Sequence, residues 1–407
     1  MNFLKESIIR TLNGRSAHGN GDVKEELRKT AAINEGQIDS QKINRSVPII
    51  SNSVNTSIKD EFESNVKTRN GNDRCIENKD GKKRLEENSE FKSRESLDEN
   101  DDDEDENENE NEKEEELSLD LEEPSQEVME YARRELGETE EVKCQTLQEL
   151  REMIYERGEC SPQRMDDAFL IRFLRARNFN IHRAHRLVVN YYNFKEEHHT
   201  IHKNVNPLEM RHIGDDDVMT VPAYRTQCGR RMMIFRIGNW DPRKYSVEEL
   251  FKATVIVLEL GILEPRAQVL GGVVIFDLEG ITMAHAWTIT PQIASMVIAL
   301  MVTSFPMKTH AIHILNQSWV FDAIFAVFKP LLDSRMQGKI YFHGHDMSSL
   351  HQHVAPGNLP KKYGGTQEEL PYYKWIDSLS KKPIVVKEMH QVGYIIPEEI
   401  LKTVKDL

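Results

Sequence analysis

The stretch that most restricts how this chain can fold is Trp319-Val320-Phe321-Asp322-Ala323-Ile324-Phe325-Ala326-Val327-Phe328-Lys329-Pro330-Leu331-Leu332. Wound at 3.6 residues per turn, it confines polarity to a narrow strip carrying Asp322 and Lys329. Large apolar side chains take well over half the circumference, more than an ordinary surface helix buries. The run is too short to cross a bilayer, and Pro330 weakens its last turn. Such a helix must be fully buried, cover something oily, or touch a membrane. On either side, residues 311–315 and 339–343 read as strands. A helix joining two strands of one sheet is placed to act as a lid over a cavity.

The formal charge of −15 is unevenly distributed. Residues 1–144 hold 22 Lys and Arg against 39 Asp and Glu, a balance of −17, which leaves the remainder at +2. Residues 1–123 are rich in Asn, Ser, Glu, Asp and Lys, and an acidic run opens at Asp101 and reaches Glu116. Such a segment cannot bury enough apolar surface to offset the entropy of ordering it, so a disordered acidic tail is expected. Within it, residues 1–12 outline a weak amphipathic start, or more plainly an unstructured terminus, and residues 117–121 a short adaptor-binding peptide, or more plainly the edge of the acidic tail. Only about 260 residues remain to build a core. No basic stripe carries interleaved aromatics, which excludes nucleic acid as a partner. Cys75, Cys144, Cys160 and Cys228 lie far apart without a CxxC pair, as in a reduced chain. The opening apolar run breaks at Lys5-Glu6, residues 294–302 fall short of a membrane span, and the terminal Val-Lys-Asp-Leu is no retention signal. The expectation is a cytoplasmic protein.

Helical periodicity begins near Gln126 and predicts helices over 128–136, 147–156, 166–177 and 181–197. In the third, Phe169 and Phe173 face inward and Arg172, Arg175 and Arg177 are expected on the solvent side. Near Met219 the pattern changes: 220–224 and 231–236, separated by 227–230, read as a hairpin. Ser246-Val247-Glu248-Glu249 is a capping box opening a helix to about 263. Residues 272–277 are apolar on both faces, as inside a parallel sheet. Thr290-Pro291 supplies an N-cap and a Pro at the first helical position of a helix to 304. This alternation predicts right-handed βαβ units and an α/β fold.

Catalytic motifs are missing: no GxSxG elbow, GxGxxG fingerprint or complete phosphate loop is present. Gln337-Gly338-Lys339-Ile340 has Ile where such a loop needs Ser or Thr. Asp277-Leu278-Glu279-Gly280 follows a buried strand, as an aspartyl-phosphate nucleophile would, but lacks the partners and reads better as a turn. His310, His313, His343, His345, His351 and His353 have no HExxH helix or Cys companions, so no metal is expected. The chain is read as no enzyme, with no catalytic residue and no cofactor. What remains is oily: the helices over 254–263, 289–305 and 319–332 exceed what one short sheet needs to cover its two faces. An ordinary large core is one explanation. A cavity is the other, with Met283, Met296, Met301 and Met307 as adaptable lining.

Several linked stretches resemble the CRAL-TRIO lipid-binding family: residues 167–179, Ile275-Phe276-Asp277-Leu278-Glu279-Gly280, Phe305-Pro306-Met307-Lys308, Ile312-His313-Ile314-Leu315-Asn316, Phe328-Lys329-Pro330-Leu331-Leu332, His343-Gly344 and residues 359–365. They are most similar to its branch of alpha-tocopherol transfer, retinaldehyde-binding and clavesin-like proteins. The resemblance runs from about 127 to 376. It implies a helical N-terminal domain over 124–205, a lipid-binding domain over 206–376 with a mostly parallel sheet and a mobile gate helix, and a C-terminal extension over 377–407. Matched positions imply a lipid pocket of Phe251, Thr254, Leu258, Phe276, Met283, Trp287, Ile289, Val297, Leu300, Met301, Phe305 and Ile312. The gate over 318–332 would add Phe321, Ile324, Phe325, Val327 and Phe328. Lys308, Arg335 and Lys339 fall on positions of a phosphoinositide-binding cleft, with Arg175 and Arg177 nearby. His310 stands where that branch has Arg, and its protonation near pH 6 would restore the charge.

The function implied is carriage of tocopherol (vitamin E), a retinoid or a similar hydrophobic lipid between membranes, with phosphatidylinositol phosphates and a membrane surface as partners. The alternative implied is a phosphoinositide-binding membrane-trafficking adaptor of the clavesin kind, whose N-terminal tail recruits a partner. Either would associate reversibly with endosomal membranes.

Overall fold

The structure, a computed structural model, describes residues 119–369 and 372–404. The tail expected to be disordered lies, up to residue 118, outside the described residues. A helical bundle comes first. Helix α1 (Glu140–Arg157), α2 (Asp167–Ala176) and α3 (Ile181–Glu197) each start after a short polar side chain that accepts a backbone N–H: Thr139 from Val142, Asp166 from Phe169, Asn180 from Arg183. Phe169, Phe173 and Tyr191 interlock at its centre, with ring centroids 5.2–6.0 Å apart.

Two arginines depart from expectation here. Arg172 and Arg175 are only 4% and 6% exposed, not on the solvent side. Helix α2 is enclosed almost all round, because α1, α3 and more distant segments pack on it. The charges stay buried because each is paired: Arg172 with Glu388 at 2.7 Å and Arg175 with Glu138 at 2.6 Å.

The sheet has five strands in the order β1 (Met219–Thr220), β2 (Arg231–Arg236), β3 (Gly272–Asp277), β4 (Thr309–Leu315) and β5 (Ile340–Gly344). Strand β1 is antiparallel to β2 and all other pairs are parallel. The expected hairpin is present, but its first arm is two residues long and precedes Pro222, whose missing N–H cannot extend a ladder. The crossovers run through α4 (Val247–Gly261), α5 (Pro291–Ile298) and α6 (Trp319–Phe328). The Ser246–Glu249 capping box forms as predicted, and Thr290 caps α5. Helix α5 continues as a wider helical turn over Ala299–Ser304, and α6 tightens into a turn over Lys329–Leu331 at Pro330.

Strands that follow one another in order, joined by crossovers of one hand, send every crossover to the same face. All three apolar helices therefore lie on one side of the sheet. The other face is covered by the short helix Met347–His351 and the 359–365 loop, where Met232, Ile234, Val273, Ile275 and Leu315 meet Leu350, Val354, Leu359 and Tyr363. That loop needs Gly365, since a Cβ there would sit 1.9 Å from the Leu359 carbonyl oxygen.

The segment after residue 377 is more than an appendage. Helix α7 (Pro383–Gln391) returns to the bundle, where Glu388 accepts from Arg164 and Arg172, and Lys195 Nζ donates to the Val392 carbonyl at 2.7 Å. Cys144 and Cys160 are free. Among the described residues no helix is long and apolar enough to cross a membrane.

Candidate functional site

A cavity of about 250 Å³ lies between the sheet and its three crossovers. Register decides its floor. Val274 pairs with Ile312 and Ile312 with Ile340, while Phe235 pairs with Phe276 and Phe276 with Ile314. Paired residues of parallel strands point to the same face, so these side chains form one apolar surface. Helix α4 adds Leu250, Phe251 and Thr254; α5 adds Ile293, Val297 and Ile298; the wider turn adds Leu300 and Met301. The roof is α6, through Phe321, Ile324, Phe325 and Phe328.

Polar side-chain atoms on this wall come from Trp240, Thr254 and His285, and each is already engaged. Trp240 Nε1–H donates to the Tyr245 carbonyl at 3.0 Å, and the Thr254 hydroxyl to the Leu250 carbonyl at 2.8 Å. His285 Nδ1 accepts from the Thr282 backbone N–H at 2.9 Å, which leaves Nε2–H to donate to the Trp240 carbonyl at 2.7 Å. The cavity therefore presents hydrocarbon and no spare donor.

Of the residues assigned to a pocket from sequence, Phe251, Thr254, Phe276, Ile289, Val297, Leu300, Met301 and Ile312 line this cavity, as do Phe321, Ile324, Phe325 and Phe328 of the gate. Leu258 and Phe305 line a neighbouring space of about 90 Å³, which Met301 and Met307 share. Three lie elsewhere. Trp287 is 40% exposed, because the one-and-a-half-turn helix Met283–Thr288 points His285 and Ala286 inward instead. Met283 packs beside Val320 and Ile324, and Val327 is half-buried without lining the cavity. Sequence reasoning missed Phe235, Trp240, Leu250, Ile293, Ile314 and Ile340. The period-two alternation of β4, with Ile312 and Ile314 on one face, was the available signal.

Helix α6 is lightly attached. Three of its four buried residues belong to two small clusters, one of Phe321 with Leu278 and Ile314, the other of Val320 and Ile324 with Ala286. The second is separate from the main core, and the first touches it through half-buried Ile237, Phe276 and Ile312. Moving α6 would leave that core in place.

A second feature sits where β4 and β5 begin. Lys308 and Lys339 immediately precede the two strands, Arg335 lies in the helix Ser334–Gln337, and Arg177 ends α2. Burial, then Lys339 and Arg177, push the Lys308 ammonium down to about 8. Burial and Arg335 lower Lys339; burial, Arg183 and Arg335 lower Arg177. These are cations sharing one field. Arg335 pairs with Asp333 at 3.1 Å. Lys308 donates to Asn178 Oδ1, Lys339 to the Thr309 carbonyl and Arg177 to the Val302 carbonyl, all neutral acceptors. An arriving anion would relieve the mutual repulsion. Arg175, expected in this cluster, is instead bound to Glu138 and Gln268.

Residues 215–365 match the family model of the CRAL/TRIO domain, and residues 104–190 match that of the CRAL/TRIO N-terminal domain. Mouse "Alpha-tocopherol transfer protein-like" is 33% identical over 251 residues, which is 62% of this chain and 73% of the relative. Human "Clavesin-2" is 32% identical over 257 residues, 63% of this chain and 79% of the relative. The chain belongs to the CRAL/TRIO domain family, a lipid-binding family.

Proposed function

We propose that this protein carries a small hydrophobic lipid, of the tocopherol or retinoid kind, in the apolar cavity beneath α6 and transfers it between membranes. The observation that carries this reading is a wall whose polar atoms are all internally bonded: it suits a guest that is mostly hydrocarbon. Each methylene left in water costs about 0.8 kcal/mol, so such a guest seldom leaves a bilayer unaided. Enclosure removes that penalty in transit. At the membrane, α6 exchanges its contact with the guest for contact with acyl chains, while the sheet and main core hold their shape. Arg177, Lys308, Arg335 and Lys339 bind the phosphates of a phosphoinositide headgroup and orient the gate toward the bilayer. No bond is made or broken.

The test is organic extraction of the purified protein followed by mass spectrometry, with transfer of a fluorescent tocopherol analogue between vesicles as the functional readout. A cavity that neither yields a lipid nor accepts one ends this reading. The basic cluster favours a second reading, a phosphoinositide-docked membrane adaptor. That reading predicts headgroup-dependent vesicle binding without lipid transfer.

A further inference from the structure

The same chain holds a run of charge opposite to that of the basic cluster. Residues 101–116 hold twelve acidic side chains against the single Lys113. The described chain begins just beyond this run, and it begins anchored. Leu119 is 8% exposed, in the wall of the smaller cavity that Lys308 and Thr309 also line. The Asp120 backbone N–H donates to Glu264 Oε1 at 2.9 Å, and its carboxylate pairs with Arg225 at 3.3 Å. Glu264 is fully buried and held by Arg231, the first residue of β2. The chain is thus pinned along the edge where β2 to β5 begin, the same edge that carries Lys308 and Lys339.

Reach is ample. From the start of β2 to the start of β5 is three strand spacings, about 14 Å. Glu116 lies within about 10 Å of Leu119 along the chain, and the acidic run extends to about 50 Å at full stretch. A tether this short corresponds to an effective concentration in the millimolar range. We propose that residues 101–116 dock on Arg177, Lys308, Arg335 and Lys339 and compete there with the phosphates of a membrane lipid. The contact is electrostatic, so salt weakens it and a polyvalent headgroup displaces it. The competition rests on the headgroup reading above; the intramolecular contact does not.

The experiment compares the full chain with a variant carrying Asp→Asn and Glu→Gln throughout 101–116. Acetylation of Lys308 and Lys339 by an amine-reactive reagent is followed by peptide mass spectrometry, with the exposed Lys374 as internal reference. Relative to Lys374, both lysines should react at least three-fold faster in the variant, and the difference should vanish in 0.5 M salt. Equal rates overturn the proposal. In parallel, the variant should bind phosphatidylcholine vesicles containing phosphatidylinositol bisphosphate about five-fold more tightly than the full chain. Tighter binding with equal acetylation means that the run merely repels anionic membranes, and the proposal fails. Protected lysines with no vesicle binding by either chain would sink the headgroup reading and leave the contact standing.

Discussion

Phe325 of the gate helix meets Phe342 of β5 edge to face, with ring centroids 5.3 Å apart and planes at 80°. Phe321 meets the same Phe342 ring at 6.1 Å, so two aromatic rings latch α6 to the sheet. Such pairs contribute about 0.5–1.5 kcal/mol beyond area burial, enough to hold a lid and little enough to release it. Phe325→Asp should therefore lower lipid transfer between vesicles by roughly ten-fold or more while leaving the thermal midpoint within a few degrees. Unchanged transfer would remove the gate role from α6.

Val297 projects into empty volume from α5. Val297→Phe should occupy space that the guest needs and leave stability close to the parent, since the added ring enters a void instead of a packed core. Lipid loading, read by fluorescence of a bound analogue, should fall about ten-fold. Full loading would place the guest elsewhere.

Arg175 and Lys308 were both assigned to the phosphate cleft, yet the structure predicts opposite outcomes. Arg175→Met leaves the buried Glu138 without its partner and should cost about 3 kcal/mol in denaturant titration. Lys308→Ala should cost little stability but weaken vesicle binding several-fold. The headgroup contact should also weaken between pH 7 and 9: Lys308 is held to about 8, so it is cationic below that value and neutral above it. Binding that stays flat across this range would exclude Lys308 from the contact.

Behind β4 and β5, on the face away from the cavity, three imidazoles pack together, with His313 and His343 stacked and His353 tilted against them. His313 Nδ1 lies 2.9 Å from His343 Nε2, His343 Nδ1 lies 2.8 Å from Ser349 Oγ, and the His353 ring lies 5.2 Å from that of His313. Burial and the neighbouring imidazoles hold His313 down to about 3 and His343 to about 4. In the unfolded chain both titrate near 6.5. Below that pH the unfolded chain takes up protons that the folded one refuses, so their contribution is complete above about 6.5 and is lost as pH falls toward 4. Each proton adds up to about 1.4 kcal/mol per pH unit to the slope. Denaturation midpoints at pH 7, 5.5 and 4.5 should fall in that order, less steeply in His313→Leu/His343→Leu. A pH-independent midpoint would refute the account.

The helices and strands were legible because their signals are local. Ser246 with Glu249 and Thr290 with Pro291 encode starts within four residues, and period-two or period-3.6 patterning needs only a window of neighbours. Surroundings were not legible. Arg172 and Arg175 look like a solvent face until Glu388 and Glu138, 216 and 37 residues away, are brought against them.

Sequence alone determined that three oily helices alternate with short parallel strands, because hydrophobic period and capping act over a turn or two of chain. Only the tertiary structure decided that all three lie on one face and leave a hollow. That outcome depends on strand order and crossover hand, which join residues scores of positions apart. Packing likewise decided which cations stand together: Lys308 and Lys339, 31 residues apart, become neighbours only because β4 and β5 pair.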